Sequence, residues 1–219
     1  MCGRFTIIDD IDKICQRFNC SSLETGFKPR FNVAPTQEVP VIITSSQGHT
    51  ELRIMRWGLV PNWAKDRKIG SRLINARIET ISEKPSFRSS FRYRRCIIPS
   101  NGYYEWKKSG KEKLPYHIVM AQEELFGFAG LWDRWLDEAG QELLSFTIIT
   151  AEAAPAVSTI HDRMPFILKK EDEQSWLDGS DGSNLMNILK PADNLMSYRV
   201  ATIVNSPAND VPACIEKIS

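Results

Sequence analysis

The chain predicts an α+β fold: one domain over residues 1–219, built on antiparallel, barrel-like β-sheets with peripheral helices. Two patterns carry that expectation. Short apolar runs rich in Val, Ile, Phe, Tyr and Trp recur along the chain, and polar turns such as Ala139-Gly140 separate them. Only a few short segments show helical spacing. A third observation fixes the domain count, since 219 residues without an internal repeat or a low-complexity linker give no natural point of division.

Taken in order, residues 4–8 read as a short strand. Asp9 is placed to cap a helix running to about Phe18, because Ile11, Ile14, Cys15 and Phe18 fall on one helical face. Residues 28–35 read as a loop, ended by Pro35, which holds its predecessor extended. Residues 38–44 and 51–57 form two strands around the polar turn at 45–50. Residues 79–92 are expected to be helical in part, with Phe87 and Phe91 inward and Arg88 and Arg92 outward. Strands follow at 96–99, 102–107, 115–120, 125–132 and 143–150. In the second of these, Tyr103 and Glu105 share one face, and Tyr104 and Trp106 the other. A short helix at 153–160 delivers His161. A strand at 166–168, a helix at 171–177, a glycine-bearing loop at 178–184 and a last strand at 199–204 complete the reading.

Composition excludes several classes. Apolar residues make up 42% and charged residues 25%, as in ordinary soluble domains. No apolar run approaches the roughly 18 residues of a membrane span, and no basic segment precedes an apolar one at the N-terminus, so a cytoplasmic protein without membrane contact is expected. The five cysteines (Cys2, Cys15, Cys20, Cys96 and Cys214) are odd in number and form no C-x-x-C, which argues against a disulfide framework or a zinc site. No metal and no cofactor are expected, and a monomer is. The net charge of +1 hides an asymmetry: from Arg53 to Arg95 there are twelve basic residues against Asp66, Glu79 and Glu83, a local +9. That is the pattern of a local polyanion site, although a solvated charged face has the same composition.

The chemistry centres on Met1-Cys2-Gly3-Arg4-Phe5. Removal of an initiator methionine before a small residue would make Cys2 an N-terminal residue with a free amine and a thiol. Their reference pKa values, about 7.7–8.0 and about 8.5, make both usable nucleophiles near neutrality. A 1,2-aminothiol condenses with an aldehyde through nitrogen and then sulfur, closing a thiazolidine ring. Cys2 also reads as an ordinary small residue of a terminal strand. Three side chains are candidate partners. Glu105 sits among Tyr103, Tyr104 and Trp106, where desolvation favours its protonated form, though a Glu on an exposed strand face reads the same. His161, in Ile160-His161-Asp162-Arg163-Met164-Pro165, is a proton-shuttle candidate or a structural histidine. Asn75, in Ile74-Asn75-Ala76-Arg77, could bond a hydroxyl or oxyanion, or be a plain loop residue.

With these segments in order, joined by Asn32-Val33-Ala34-Pro35, Trp57-Gly58-Leu59-Val60-Pro61, Gly102-Tyr103-Tyr104-Glu105-Trp106 and Val204-Asn205-Ser206-Pro207, the chain resembles the SOS-response-associated peptidase (SRAP) family along nearly its whole length. Members of that family shield abasic sites in single-stranded DNA by crosslinking to them. The resemblance implies a partner, single-stranded DNA containing abasic sites, and a set of roles. Cys2, freed of Met1, would form the Schiff base and then the thiazolidine. Asn75 would position amine and sugar, Glu105 would relay protons, and His161 would protonate the ring oxygen or help reverse the link. Arg4, Arg77 and Arg163 would hold phosphates, Asn32 would join the DNA-binding set, and Trp63 would stack on a base. Where some relatives place a second aromatic after this Trp, the chain has Ala64, so weaker discrimination at single-strand/duplex junctions is expected. The family name also implies an autopeptidase activity at Cys2, and the expected place of work is the cytoplasm, on the nucleoid when DNA is damaged.

Other readings compete. N-terminal-nucleophile glutaminases also begin Met-Cys-Gly, but continue with Ile where Arg4 stands, and feed a synthase domain that 219 residues do not easily hold. A non-covalent single-strand binding module would use only the basic segment and the aromatics. A general cysteine protease gives the basic segment no role.

Overall fold

The computed structural model describes residues 2–122, 125–178 and 194–218. In chain order its elements are β1 (Phe5–Ile7), α1 (Ile11–Phe18), β2 (Ser21–Ser22), β3 (Arg30–Val33), β4 (Glu38–Thr44), β5 (Thr50–Trp57), β6 (Asn75–Arg77), α2 (Arg88–Tyr93), β7 (Arg95–Ser100), β8 (Gly102–Ser109), β9 (Glu112–Met120), β10 (Phe126–Leu136), β11 (Glu142–Glu152), α3 (Pro155–Ser158), β12 (Arg163–Pro165), α4 (Glu173–Leu177) and β13 (Leu195–Arg199). The architecture is the expected α+β class with mostly antiparallel sheets.

One sheet runs β13-β9-β8-β1-β3. The other runs β12-β11-β10-β7-β4-β5-β2, and β11 also pairs in parallel with β5 through Ser145↔Arg56 and Phe146↔Trp57. That extra pairing closes β11, β10, β7, β4 and β5 into a five-stranded barrel, which removes their free edges. The β1 sheet packs onto it through Phe5, whose ring meets Trp57 edge-on at 5.0 Å and Phe128 at 5.9 Å. All three side chains are fully buried, and the polar handle of Trp57 is satisfied, its Nε1 donating to the Ile74 carbonyl at 2.9 Å.

Beyond β5 the chain turns through Gly58, at φ +117°, and lies against the 3₁₀ turn Arg67–Arg72. A Cβ on Gly58 would stand 2.6 Å from the Gly70 carbonyl oxygen, and one on Gly70 would stand 2.5 Å from the Gly58 oxygen. Two bare backbones therefore touch here, which fixes the root of the loop that carries Trp63.

Several sequence expectations shift. The cap of α1 is Asp10, whose carboxylate accepts from the Lys13 amide at 2.9 Å; Asp9 is buried and instead accepts from Asn101 Nδ2 at 2.7 Å. The expected loop at 28–35 contains β3, because Asp210 takes the amides of Phe31 and Asn32 at 2.5 and 3.0 Å while Val33 pairs with Phe5. The strand expected at 166–168 is only an isolated bridge at Ile167, and the ladder on β11 belongs to β12 just before it. The last strand lies at β13, and residues 202–205 form a 3₁₀ turn. Helix α2 does bury Phe87 and Phe91 and expose Arg88 and Arg92, and α3 leads to His161. The loop expected at 178–184 lies outside the described residues from 179 onward.

Candidate active site

β1 is an interior strand, held by β3 on one side and by β8 on the other. Its pairing extends one residue toward the N-terminus, since the Tyr104 amide donates to the Arg4 carbonyl at 3.0 Å. This leads Cys2 into the seam between the β1 sheet and the barrel, where it is fully buried. Asn75 comes from the barrel side. It heads β6, registered on β11 by Ile148↔Asn75, and its Nδ2 donates to the Cys2 carbonyl at 2.7 Å. Glu105 comes from β8 and is 3% exposed. His161 follows α3. Strand order, sheet packing and one short helix thus gather the four expected residues around one point.

The electrostatics of this cluster follow from burial. Desolvation pushes the Cys2 thiol well above the ordinary range, and the negative charge of Glu105 adds to the effect. Desolvation also raises the Glu105 carboxyl, while the positive charge of His161 works against that rise. His161 Nδ1 lies 2.9 Å from the Arg163 amide and 2.8 Å from Asp162 Oδ1. The amide is a fixed donor and Asp162 is a largely exposed side chain. A neutral ring accepts from that amide at Nδ1, whereas a protonated ring presents Nδ1–H to Asp162. His117, which is buried, is held neutral by burial, which pushes its pKa down to about 3, and its Nδ1 lies 2.8 Å from Tyr198 Oη.

The raised Glu105 carboxyl has a pH signature. Because the folded state holds the proton more tightly than the unfolded one, this group's contribution is fully present below the ordinary carboxylate range. It is lost as pH rises through the raised value. The difference in Tm between Glu105→Gln and wild type should therefore start near zero at acid pH and grow in favour of the variant above that range. A pH series of thermal melts checks this; a flat difference would show that the carboxylate carries no desolvation cost.

The residues expected to bind a strand divide. The Asn32 side chain is fully buried, Nδ2 reaches the carbonyls of Val204, Ser206 and Asn209 at 3.1, 2.9 and 2.7 Å, and Oδ1 accepts from Arg4 Nη1 at 2.8 Å. Asn32 ties β3 to the C-terminal segment, and both polar atoms of its side chain are engaged within the protein. Arg4 also bonds the carbonyls of Val204 and Asn205, at 2.8 and 3.2 Å, so any phosphate it holds shares the guanidinium with this brace. Arg163 grips Glu79 through both Nη atoms at 2.5 and 3.0 Å and reaches the Thr150 carbonyl at 2.6 Å. That grip holds the Glu79 carboxyl below its ordinary range. Arg77 is exposed on β6. Trp63 is 56% exposed and borders a cleft of about 540 Å³ with Lys65, Lys68 and Arg72. Trp135 Nε1 anchors that loop by donating to the Ala64 carbonyl at 2.7 Å. A larger cleft of about 590 Å³, lined in part by Arg53, Tyr93, Trp132 and Arg134, contains none of these residues.

The basic stretch is not one surface. Arg95 is buried and donates to the carbonyls of Trp176 and Phe91 at 2.7 and 3.0 Å, and Arg94 pairs with Asp133 at 3.2 Å. Sequence counting could not separate these anchors from the exposed cations. Tyr103 was read only as a neighbour of Glu105. The structure gives it more weight: its hydroxyl is buried, meets no hydrogen-bond partner, and interacts electrostatically with both Cys2 and Glu105. Among the described residues no cluster of three or more His, Cys, Asp or Glu could hold a metal ion, and no helix is long and apolar enough to cross a membrane.

Comparison with known proteins places this geometry in context. The family model described as SOS response associated peptidase (SRAP) matches residues 1–207. The abasic site processing protein YoqW of Bacillus subtilis (strain 168) is 44% identical over 223 residues, covering 99% of both chains. The abasic site processing protein HMCES of Gallus gallus is 32% identical over 228 residues, covering 89% of this chain and 68% of its own. A crystal structure of a protein from Bacteroides thetaiotaomicron superposes with a TM-score of 0.90 at 31% identity, over 100% of both chains.

Proposed function

The chain belongs to the SOS response associated peptidase family, and from that premise we propose that it processes abasic sites in DNA, capturing them in single strands as a covalent adduct of Cys2. The observation that carries this reading is the bond from Asn75 to the Cys2 carbonyl. It holds the backbone of the second residue, not its side chain. Loss of Met1 therefore leaves the anchor intact and frees an amine beside Glu105 and His161.

The steps balance without an added reactant. The Cys2 amine adds to the aldehyde carbon of the ring-opened deoxyribose, and water leaves as the C=N bond forms. The thiol then adds across that bond: sulfur joins carbon, and the electron pair of the imine takes up a proton on nitrogen. Glu105 suits the proton transfers because its raised carboxyl is closer to half-protonation near neutrality than an exposed Glu. Burial disfavours the free thiolate, so sulfur is best deprotonated as it attacks. Trp63 and the exposed cations beside it offer a stacking platform and phosphate contacts, which bind a strand without reading its sequence.

Intact-mass analysis after incubation with a uracil-containing single strand treated with uracil glycosylase tests the reading. The expected product is the chain lacking Met1, plus the oligonucleotide, minus one water. Unmodified protein, or an adduct that retains Met1, would contradict it. Glu105→Gln should slow adduct formation roughly a hundredfold and leave non-covalent affinity for the strand within about twofold. Unchanged kinetics would remove Glu105 from the mechanism.

A further inference from the structure

Asn75 and Tyr103 leave two polar atoms without partners beside Cys2. The bond from Asn75 Nδ2 to the Cys2 carbonyl fixes which way the amide faces, so Oδ1 points elsewhere, and there it is buried with no hydrogen bond. The Tyr103 hydroxyl is in the same condition. Tyr103 stands in register with Phe5 of β1, three residues after Cys2, and on the same face of β8 as Glu105. Its ring is fixed edge-on against Phe128 at 6.1 Å. A phenylalanine would fill this place equally well and leave no orphaned donor, so packing does not account for the hydroxyl.

An unpaired acceptor and an unpaired donor, each on a residue beside Cys2, match a ligand group that both donates and accepts. A hydroxyl is the simplest such group. We propose that Tyr103 Oη–H and Asn75 Oδ1 together bind the hydroxyl released when the abasic deoxyribose opens, donating to its oxygen and accepting its hydrogen. Tyr103 is thereby a sugar-binding residue that selects an aldehyde carrying such a hydroxyl over a plain one. Burial keeps the phenol protonated, so it acts as a donor and never as a base. The assignment rests on the adduct chemistry proposed above and deepens it.

The test compares Tyr103→Phe with wild type on two probes, an abasic single-stranded oligonucleotide and acetaldehyde, which lacks the hydroxyl. Rates come from intact mass, and melts are run in parallel. The ratio of the abasic rate to the acetaldehyde rate should fall roughly three- to tenfold in the variant, the worth of one neutral hydrogen bond, with Tm equal to or above that of wild type. Equal slowing on both probes would mean that the hydroxyl acts on Cys2 and not on the sugar, which overturns the proposal. So would an unchanged ratio, or a lowered Tm accompanied by equal slowing. Absence of any wild-type adduct with abasic DNA removes the crosslinking reading and this one together, whereas a wild-type adduct with an unchanged ratio removes only Tyr103.

Discussion

Cys2→Ala and Cys2→Ser proteins should each form a denaturant-resistant complex with abasic single-stranded DNA only when it is trapped by borohydride. Comparing reduced with unreduced samples separates the two halves of the aminothiol, because both variants lose the thiol and keep the amine. Serine and alanine both keep the terminal amine and hence the imine, but neither supplies the sulfur that closes the ring, so each imine reverts by hydrolysis unless reduced. The serine hydroxyl preserves the polarity that alanine discards. The effect is total loss of the unreduced stable adduct, because among the described residues Cys2 is the one thiol at the seam; Cys96 and Cys214 are buried elsewhere, and Cys15 and Cys20 lie at and just beyond the end of α1. Denaturing electrophoresis with and without borohydride reads the result. A heat-stable, unreduced Cys2→Ala complex would show that another nucleophile does the chemistry.

The second large effect is on stability. Asn32→Leu keeps roughly the volume of the side chain but removes its donor from the carbonyls of Val204, Ser206 and Asn209 and takes from Arg4 Nη1 one of its acceptors. Each lost hydrogen bond is worth about 0.5–1.5 kcal/mol, which brings the total to about 3–4 kcal/mol. For a domain of this length a kcal/mol moves Tm by about 2–4 °C, so calorimetry should record a drop of roughly 8–15 °C. A shift under about 3 °C would mean that the C-terminal segment is held mainly by other contacts.

Asn32 also shows where sequence reading reaches its limit. An asparagine in a polar loop and an asparagine bonded to three distant carbonyls look alike in one dimension, because its acceptors lie more than 170 residues away. Arg94 and Arg95 misled in the same way: counting charges cannot tell a cation paired with Asp133, or a buried one bonded to carbonyls, from one in solvent. By contrast, the strand that carries Tyr103 and Glu105 was legible, since alternation is local and places the two residues on one face whatever the tertiary context. Helix α1 was legible from its apolar spacing, but its cap was one residue off, because Asp9 and Asp10 are equally good caps until Asn101 claims the first. The four residues of the candidate site were named from motif order. The bond from Asn75 to the Cys2 carbonyl and the orphaned hydroxyl of Tyr103 required three dimensions.

The position of β1 bears on how the chain matures. Its neighbours are encoded far downstream: Phe5 pairs with Val33 and with Tyr103. At about 5–20 residues per second, a ribosome needs roughly 5–20 s to supply the later partner. Throughout that interval β1 lacks its β8 neighbour, and an aminopeptidase can reach the first residues. Once β8 arrives, the seam closes over Cys2. Under the proposed function, the order of synthesis would thus give removal of Met1 a head start over folding, and the nucleophile would be sealed in only after it had been made.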